Sequence, residues 1–304
     1  IPTMMRCLLA AGFVVVAACV PEPQVLSESR QATGVKVGEV TENSAIIWMR
    51  VTESAARNFD GIERRGLPRS LEPSIQTRDL EGSAPGAPGQ VRLRYGTDED
   101  LARAVETDWV TVISDHDYTH HFRLTDLEPG TRYYYSAETA DVAGSLLHQR
   151  LVGRFETAPP ANEYEDVTFT VMTGQKYVSA DHPDGYRFYD AMASLEPKFL
   201  VPTGDTVYYD SDDPRATNID LARYHWHRMY SYPKAIAFHL QVPAYWEKDD
   251  HDTFFNDGWP SQEFAAGVPL VDLMGSFSFE DGLRVYGEQV PMSEKPYRTF
   301  RWGR

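Results

Sequence analysis

Two short stretches of this chain concentrate groups that could hold a metal ion. Gly204-Asp-Thr-Val-Tyr208 follows the apolar run Phe199-Leu-Val201, and Trp246-Glu-Lys-Asp-Asp-His-Asp252 follows Val242-Pro-Ala-Tyr245. A carboxylate at the carboxyl end of a buried strand sits where α/β folds place their ligands. Asp205 and Tyr208 offer a carboxylate and a phenolate oxygen to one ion. Phenolate ligation favours a hard trivalent metal, because tyrosine must lose a proton whose ordinary pKa is about 10. Taken alone, Gly-Asp-x-x-Tyr equally suits a turn followed by a core tyrosine. Asp249, Asp250 and Asp252 repel one another unless a cation lies among them or all face water. The apolar run before them argues that they emerge from the core, which favours a lined pocket over a solvated loop. With His251 among them, the two stretches suggest a metal site that works on an anionic substrate.

The elements around these stretches have the pattern of an α/β domain. Val167–Met172 reads as a strand, Gly185–Leu195 as a short helix with Phe188, Met192 and Leu195 on one face, and Phe199–Val201 as the next strand. Ile219–Leu240 is mostly helical in pattern, and Val242–Trp246 forms a third strand. Alternating strands and helices imply a sheet with right-handed crossovers. Gly174-Gln175, Gly204-Asp205 and Asp249-Asp250-His251 would then follow three strand ends at one sheet edge. Gln175 could offer its amide oxygen to a metal, although a structural turn explains it as well; Asn256 is a further possible site residue.

From about Gly34 the chain shows short alternating strands: Ser44–Val51, Val91–Tyr95, Trp109–Ile113, His120–Leu124 and Arg132–Ser136. These fit an all-β sandwich. Leu124-Thr-Asp-Leu-Glu-Pro-Gly-Thr-Arg-Tyr133 resembles the tyrosine-corner segment of fibronectin type III domains, in which the tyrosine hydroxyl ties back to the backbone. The expected division is a leader and tether over 1–30, a β-sandwich over 31–157, a linker over 158–165 and an α/β domain over 166–304. Residues 56–90, rich in Gly, Pro, Ser and Arg, read as a long polar surface insertion. His120 and His121 are adjacent, so on a strand they face opposite sides; with His116 they read as ordinary sandwich residues. His225 and His227 do not share a helical face and read as packing residues. Asp210, Asp212 and Asp213 read as a flexible acidic loop.

Forty-five acidic against twenty-nine basic residues leave a net charge of −16. That argues against a general nucleic-acid binder, whose affinity comes from basic groups on phosphates. Both cysteines, Cys7 and Cys19, fall in the leader, so the body has no disulfide and no catalytic thiolate. Arg6 and the apolar run Leu8–Ala18 have the pattern of an export signal, too short to span a bilayer. Val16-Ala-Ala-Cys19 resembles the lipobox of bacterial lipoproteins, which implies a periplasmic or cell-envelope protein anchored through lipidated Cys19. Ile1-Pro2-Thr3 precede the expected start.

The pairing of Gly204-Asp-Thr-Val-Tyr208 with Trp246–Asp252 resembles the alkaline phosphatase D (PhoD-like) branch of the calcineurin-type metallophosphatases. So does the order of leader, sandwich and α/β domain, and so does the tail from Pro291 to Arg304. The resemblance implies a metallophosphatase-type α/β fold and hydrolysis of phosphate mono- or diesters by a metal-held hydroxide, with iron and calcium (Fe3+ and Ca2+) as cofactors. By position, Asp205 would bridge two metals, Tyr208 would bind the ferric ion, and Asp250, beside Asp249, would bind the second. His251 would steady the transition state or protonate the leaving oxygen. The family often has a cysteine ligand in a Cys-Gln pair after its first catalytic strand; Thr173-Gly-Gln175 stands there instead. Related readings are an esterase acting on sulfate esters or phospholipids, or an envelope binding protein with a decayed site. The family completes its metal site with later histidines, and none follows His251, so the chain is expected to be an incomplete enzyme with little activity as given.

Overall fold

The computed structural model describes residues 29–144, 147–295 and 297–304. The expected export signal and Cys19 lie outside the described residues. No helix among the described residues is long and apolar enough to cross a membrane.

The first half is two antiparallel sheets. β1 (Lys36–Gly38), β2 (Ala45–Arg50) and β6 (Thr119–Leu124) form one. β3 (Gly89–Gly96), β4 (Val105–Glu106), β5 (Val110–Val112), β7 (Arg132–Ala140) and β8 (Leu151–Glu156) form the other. Alternation along the strands sends Ile47, Met49 and Phe122 into a shared core with Val91, Leu93 and Phe155. The hydroxyl of Tyr133 accepts the Glu128 backbone N–H at 2.9 Å, closing the expected corner.

The opposite face of β2 is buried too, because it forms the junction with the second half. Trp48 enters the second domain's core and donates its indole N–H to the Glu288 carbonyl at 2.8 Å. Arg50 pairs with Asp117 at 2.8 Å, and Asp117 also accepts from His227 at 2.6 Å and from Gln289 at 2.7 Å. The ring of His121 lies 2.9 Å from the Val290 carbonyl on the same junction, while His120 packs edge-on against Phe122. His225 accepts from Arg228 at 3.0 Å and donates to the Pro214 carbonyl at 2.7 Å. All four histidines are thus occupied in packing.

In the second half, β9 (Phe169–Met172) and β10 (Phe199–Pro202) pair in parallel. The expected third strand at Val242–Trp246 occupies its slot without forming a continuous ladder. The Tyr245 N–H donates to the Leu200 carbonyl and the Glu247 N–H to the Pro202 carbonyl, each at 2.9 Å. Pro243 has no N–H to give, so pairing reduces to isolated bridges. On its other side this segment meets the sandwich: the Ala244 N–H donates to the Val37 carbonyl at 2.9 Å. One sheet therefore runs β9, β10, segment 243–247, β1, β2, β6 across both halves. β9 forms its outer edge, with Phe169 50% and Val171 56% exposed.

Two further expectations are corrected. The helical run over 219–240 divides into α2 (Ile219–Tyr230) and α3 (Pro233–His239), since Pro233 cannot continue a helix but suits a first turn. α1 (Phe188–Ala193) ends before Leu195, which is 59% exposed; Tyr189 supplies its buried contact instead. Beyond the acidic stretch lie the hairpin β11 (Phe264–Ala265) and β12 (Val268–Pro269), then α4 (Leu270–Met274) and α5 (Phe279–Gln289).

Residues 56–90 are not a mere surface insertion. Arg57, Arg64 and Leu80 are buried, and the last two residues, Gly89 and Gln90, belong to β3. Arg57 pairs with Glu81 at 2.8 Å, donates to the Arg228 carbonyl at 3.2 Å and lies over the Tyr232 ring at 4.1 Å. Arg64 bridges Glu72 at 2.9 Å and Asp213 at 3.0 Å. The segment clamps the second domain through paired arginines, which polar composition alone cannot distinguish from solvated ones.

Candidate metal centre

Three strand ends converge as the alternation of elements implies. The Gln175 N–H donates to the Asp205 carbonyl at 2.9 Å, and the Thr173 hydroxyl to the Gly204 carbonyl at 3.3 Å. Gly204 has φ +86°, and a Cβ there would stand 2.6 Å from the Asp249 nitrogen. Only glycine lets these two loops approach so closely. Asp205 follows with φ 53°, a left-handed conformation that aspartate tolerates better than most side chains. Asp252 is fully buried and ties the loops together: it accepts the Asp249 N–H at 2.8 Å and the Thr206 N–H at 3.3 Å. Burial nevertheless pushes its carboxyl up to about 7.

One ligand atom from each of Asp205, Asp250 and His251 lies within 4.8 Å of the other two. Oδ1 of Asp205 is buried and has no hydrogen-bond partner. A buried carboxylate oxygen left bare is costly, and a cation offers the partner it lacks. The other oxygen, Oδ2, accepts the Tyr208 hydroxyl proton at 2.8 Å. Burial and this hydrogen bond hold the phenol well above its ordinary value, so it keeps its proton. Burial also raises Asp205, against the lowering effects of Tyr208 and His251.

His251 stacks at a tilt on Tyr208, with ring centroids 4.4 Å apart, and its Nδ1 lies 2.6 Å from Asp210 Oδ1. Burial pulls the imidazole down, but Asp210, with Asp205 and Asp250, outweighs it and holds His251 above the ordinary histidine value. Asp210 also accepts the Asn256 N–H at 3.1 Å, so one carboxylate organises two segments. The expectation of a flexible acidic loop is therefore corrected. Asp212 accepts the Tyr177 N–H at 2.8 Å and Asp213 pairs with Arg64, both buried.

The remaining expected residues stand apart from the trio. Asp249 is exposed and accepts the Asp250 N–H at 2.9 Å. Gln175 is buried, and its amide donates to the Tyr189 hydroxyl at 2.8 Å, away from the carboxylates. Asn256 is exposed and turns its amide to Asp257 at 2.7 Å. Sequence reasoning passed over Asp210 as a member of the centre and counted Asp252 in the acidic stretch without its role in tying the loops together. Their signal was present: Asp252 sits in the acidic stretch, and Asp210 lies two residues after Tyr208.

The architecture, an α/β sheet joined edge-on to a β-sandwich with carboxylates at its strand ends, is shared with solved structures. It superposes on a solved structure described as the structure of PhoD with a TM-score of 0.63 and 18% identity, covering 90% of this chain and 50% of that one. The chain spans about half the length of that structure. A purple acid phosphatase, PPD1 from yellow lupin (Lupinus luteus) seeds, aligns with a TM-score of 0.48 and 12% identity, over 86% of this chain and 41% of that one. No curated protein matches the chain. Residues 18–159 match the family model described as the N-terminal domain of PhoD-like phosphatases. Residues 18–159 are thus similar in sequence to that N-terminal domain, and most of the chain is similar in fold to the PhoD structure.

Proposed function

We propose that this chain carries the metal-binding core of a phosphoesterase acting on phosphate mono- or diesters. The observation that carries this reading is the bare, buried Asp205 Oδ1 beside Asp250 and His251. Asp205 and Asp250 supply hard oxygen donors, and Tyr208 adds a third once its proton leaves. Bound metal ions at such a site supply Lewis acidity and neutralise charge on a phosphoryl group. His251, held through Nδ1 by Asp210, keeps Nε2 to hold or give a proton at the leaving oxygen.

The finer reading adds iron with calcium, Tyr208 on the ferric ion, and a fibronectin type III-like first domain with the Tyr133 corner. It also places the protein outside the cytoplasm, anchored through lipidated Cys19, with a small phosphate ester as its partner and no nucleic acid. That part rests on the leader's sequence and on the net charge of −16. The test is hydrolysis of a panel of phosphate mono- and diesters and sulfate esters with metals added or chelated, beside the visible spectrum. Metal-dependent turnover of phosphate esters, with a phenolate band that Tyr208→Phe removes, is expected. Turnover of sulfate esters alone, or none under any metal by the full-length protein, contradicts the reading.

A further inference from the structure

Beside the metal centre a cleft of about 460 Å³ opens between the loop after Phe254 and the β11–β12 hairpin with α4. It borders the centre through two residues that touch the trio. Asp210, which holds His251, forms part of its wall, and Asp257 in the same wall donates its N–H to Asp250. Its character differs from the acidic centre. Trp259 lines it with 53% exposure, and Phe255 and Met274 back it from the core. Two polar groups in it lack partners suited to them. Arg215 donates to the Asp210 carbonyl at 3.3 Å but makes no ion pair with a carboxylate among the described residues. Gln262 spends its amide N–H on the Phe264 carbonyl at 2.8 Å, while its buried Oε1 has no partner.

We infer that this cleft is the subsite for the alcohol portion of the ester, and that this portion carries an aromatic ring with polar substituents. The inference rests on the phosphoesterase reading above. A phosphoryl group held through cations that Asp205 and Asp250 would bind, with its leaving oxygen toward His251, would send the alcohol past Asp210 into the cleft. An exposed indole offers a flat face for offset stacking. A guanidinium and an orphan amide oxygen offer one donor and one acceptor to ring substituents. An aliphatic chain would use the apolar wall but would leave both polar groups unmet, at a cost.

The test compares binding of phenyl-, hexyl- and methylphosphonate to the full-length protein and to Trp259→Ala by calorimetry, with turnover of an aryl phosphodiester measured alongside. The expected result is phenylphosphonate binding about tenfold tighter than either alternative, with the preference lost in Trp259→Ala. Trp259 is exposed enough that the variant should keep its fold. Equal binding of phenyl and hexyl compounds, or a preference unchanged in the variant, overturns the subsite while turnover leaves the phosphoesterase reading standing. A phenyl preference that vanishes with Trp259→Ala in a protein without turnover supports the subsite and contradicts the phosphoesterase reading instead.

Discussion

Asp210 Oδ1 stands 2.6 Å from His251 Nδ1, so a carboxylate of the first acidic loop fixes the imidazole of the second. Neither residue can be placed by its own loop alone. The contact sets which ring nitrogen carries the proton and which remains for chemistry. Asp210→Ala should lower kcat by roughly tenfold or more, as loss of an orienting carboxylate usually does. Bound metal, measured by elemental analysis, should change little, because Asp205 and Asp250 remain. A variant that loses metal and turnover together would show that Asp210 supports the ligands themselves.

Gly204→Ala should separate the loops. A methyl at that position would stand 2.6 Å from the Asp249 nitrogen, and the backbone has φ +86°. The strain should cost about 1–3 kcal/mol of stability and weaken metal binding as the carboxylates move apart. Thermal unfolding and metal titration of the variant test this. Unchanged values in both would mean that the close approach is dispensable.

The arginine clamp should be structural. Arg64→Ala leaves Asp213 buried with only the exposed Arg69 nearby, at 3.6 Å. Removing one partner of a buried pair typically costs about 3 kcal/mol or more. Denaturant unfolding should register that loss, and a change under about 0.5 kcal/mol, typical of surface sites, would restore the reading of 56–90 as a surface insertion.

The buried histidines should lose stability on mild acidification, against Asp252, whose raised carboxyl acts in the opposite direction. Burial, partly offset by the Val290 carbonyl, lowers His121 to about 4, and Arg123, His116 and His120 add to the lowering. Burial also lowers His225, His227 and His239. A histidine lowered in the folded state stabilises fully above its unfolded value, and that stability is lost as pH falls from about 6.5 toward the folded value. His121 alone should remove on the order of 1 kcal/mol between pH 7 and 5. Urea unfolding at the two values in the wild type and in His121→Gln isolates that share; the same change with pH in both proteins would refute it.

Much of the fold and of the centre was legible in the sequence, for identifiable reasons. Asp205, Tyr208, Asp250 and His251 stand out because oxygen donors directly after apolar runs leave a core at a strand end, where ligands bind. The alternation of Ile47 and Met49 reveals a sandwich strand. The same alternation hides the role of Trp48 and Arg50, because a face turned to another domain looks like a face turned to water until the partner is seen. The fusion of the two sheets through Ala244 was illegible too, since Pro243 removes the ladder signal while the Pro243 and Ala244 carbonyls and the neighbouring amides still pair. Buried charges mislead most: Arg57, Arg64, Asp212 and Asp213 resemble loop residues by composition and differ only in having buried partners.

The central claim is that Asp205 and Asp250 together hold metal ions. The most direct test is metal content by elemental analysis in the wild type and in Asp205→Asn/Asp250→Asn, with circular dichroism to check the fold. Asparagine keeps the size of both side chains and tolerates φ 53° at position 205, so only charge is removed. The account predicts stoichiometric metal in the wild type and less than a tenth of it, by rough expectation, in a folded double variant. A folded double variant that retains its metal would contradict it.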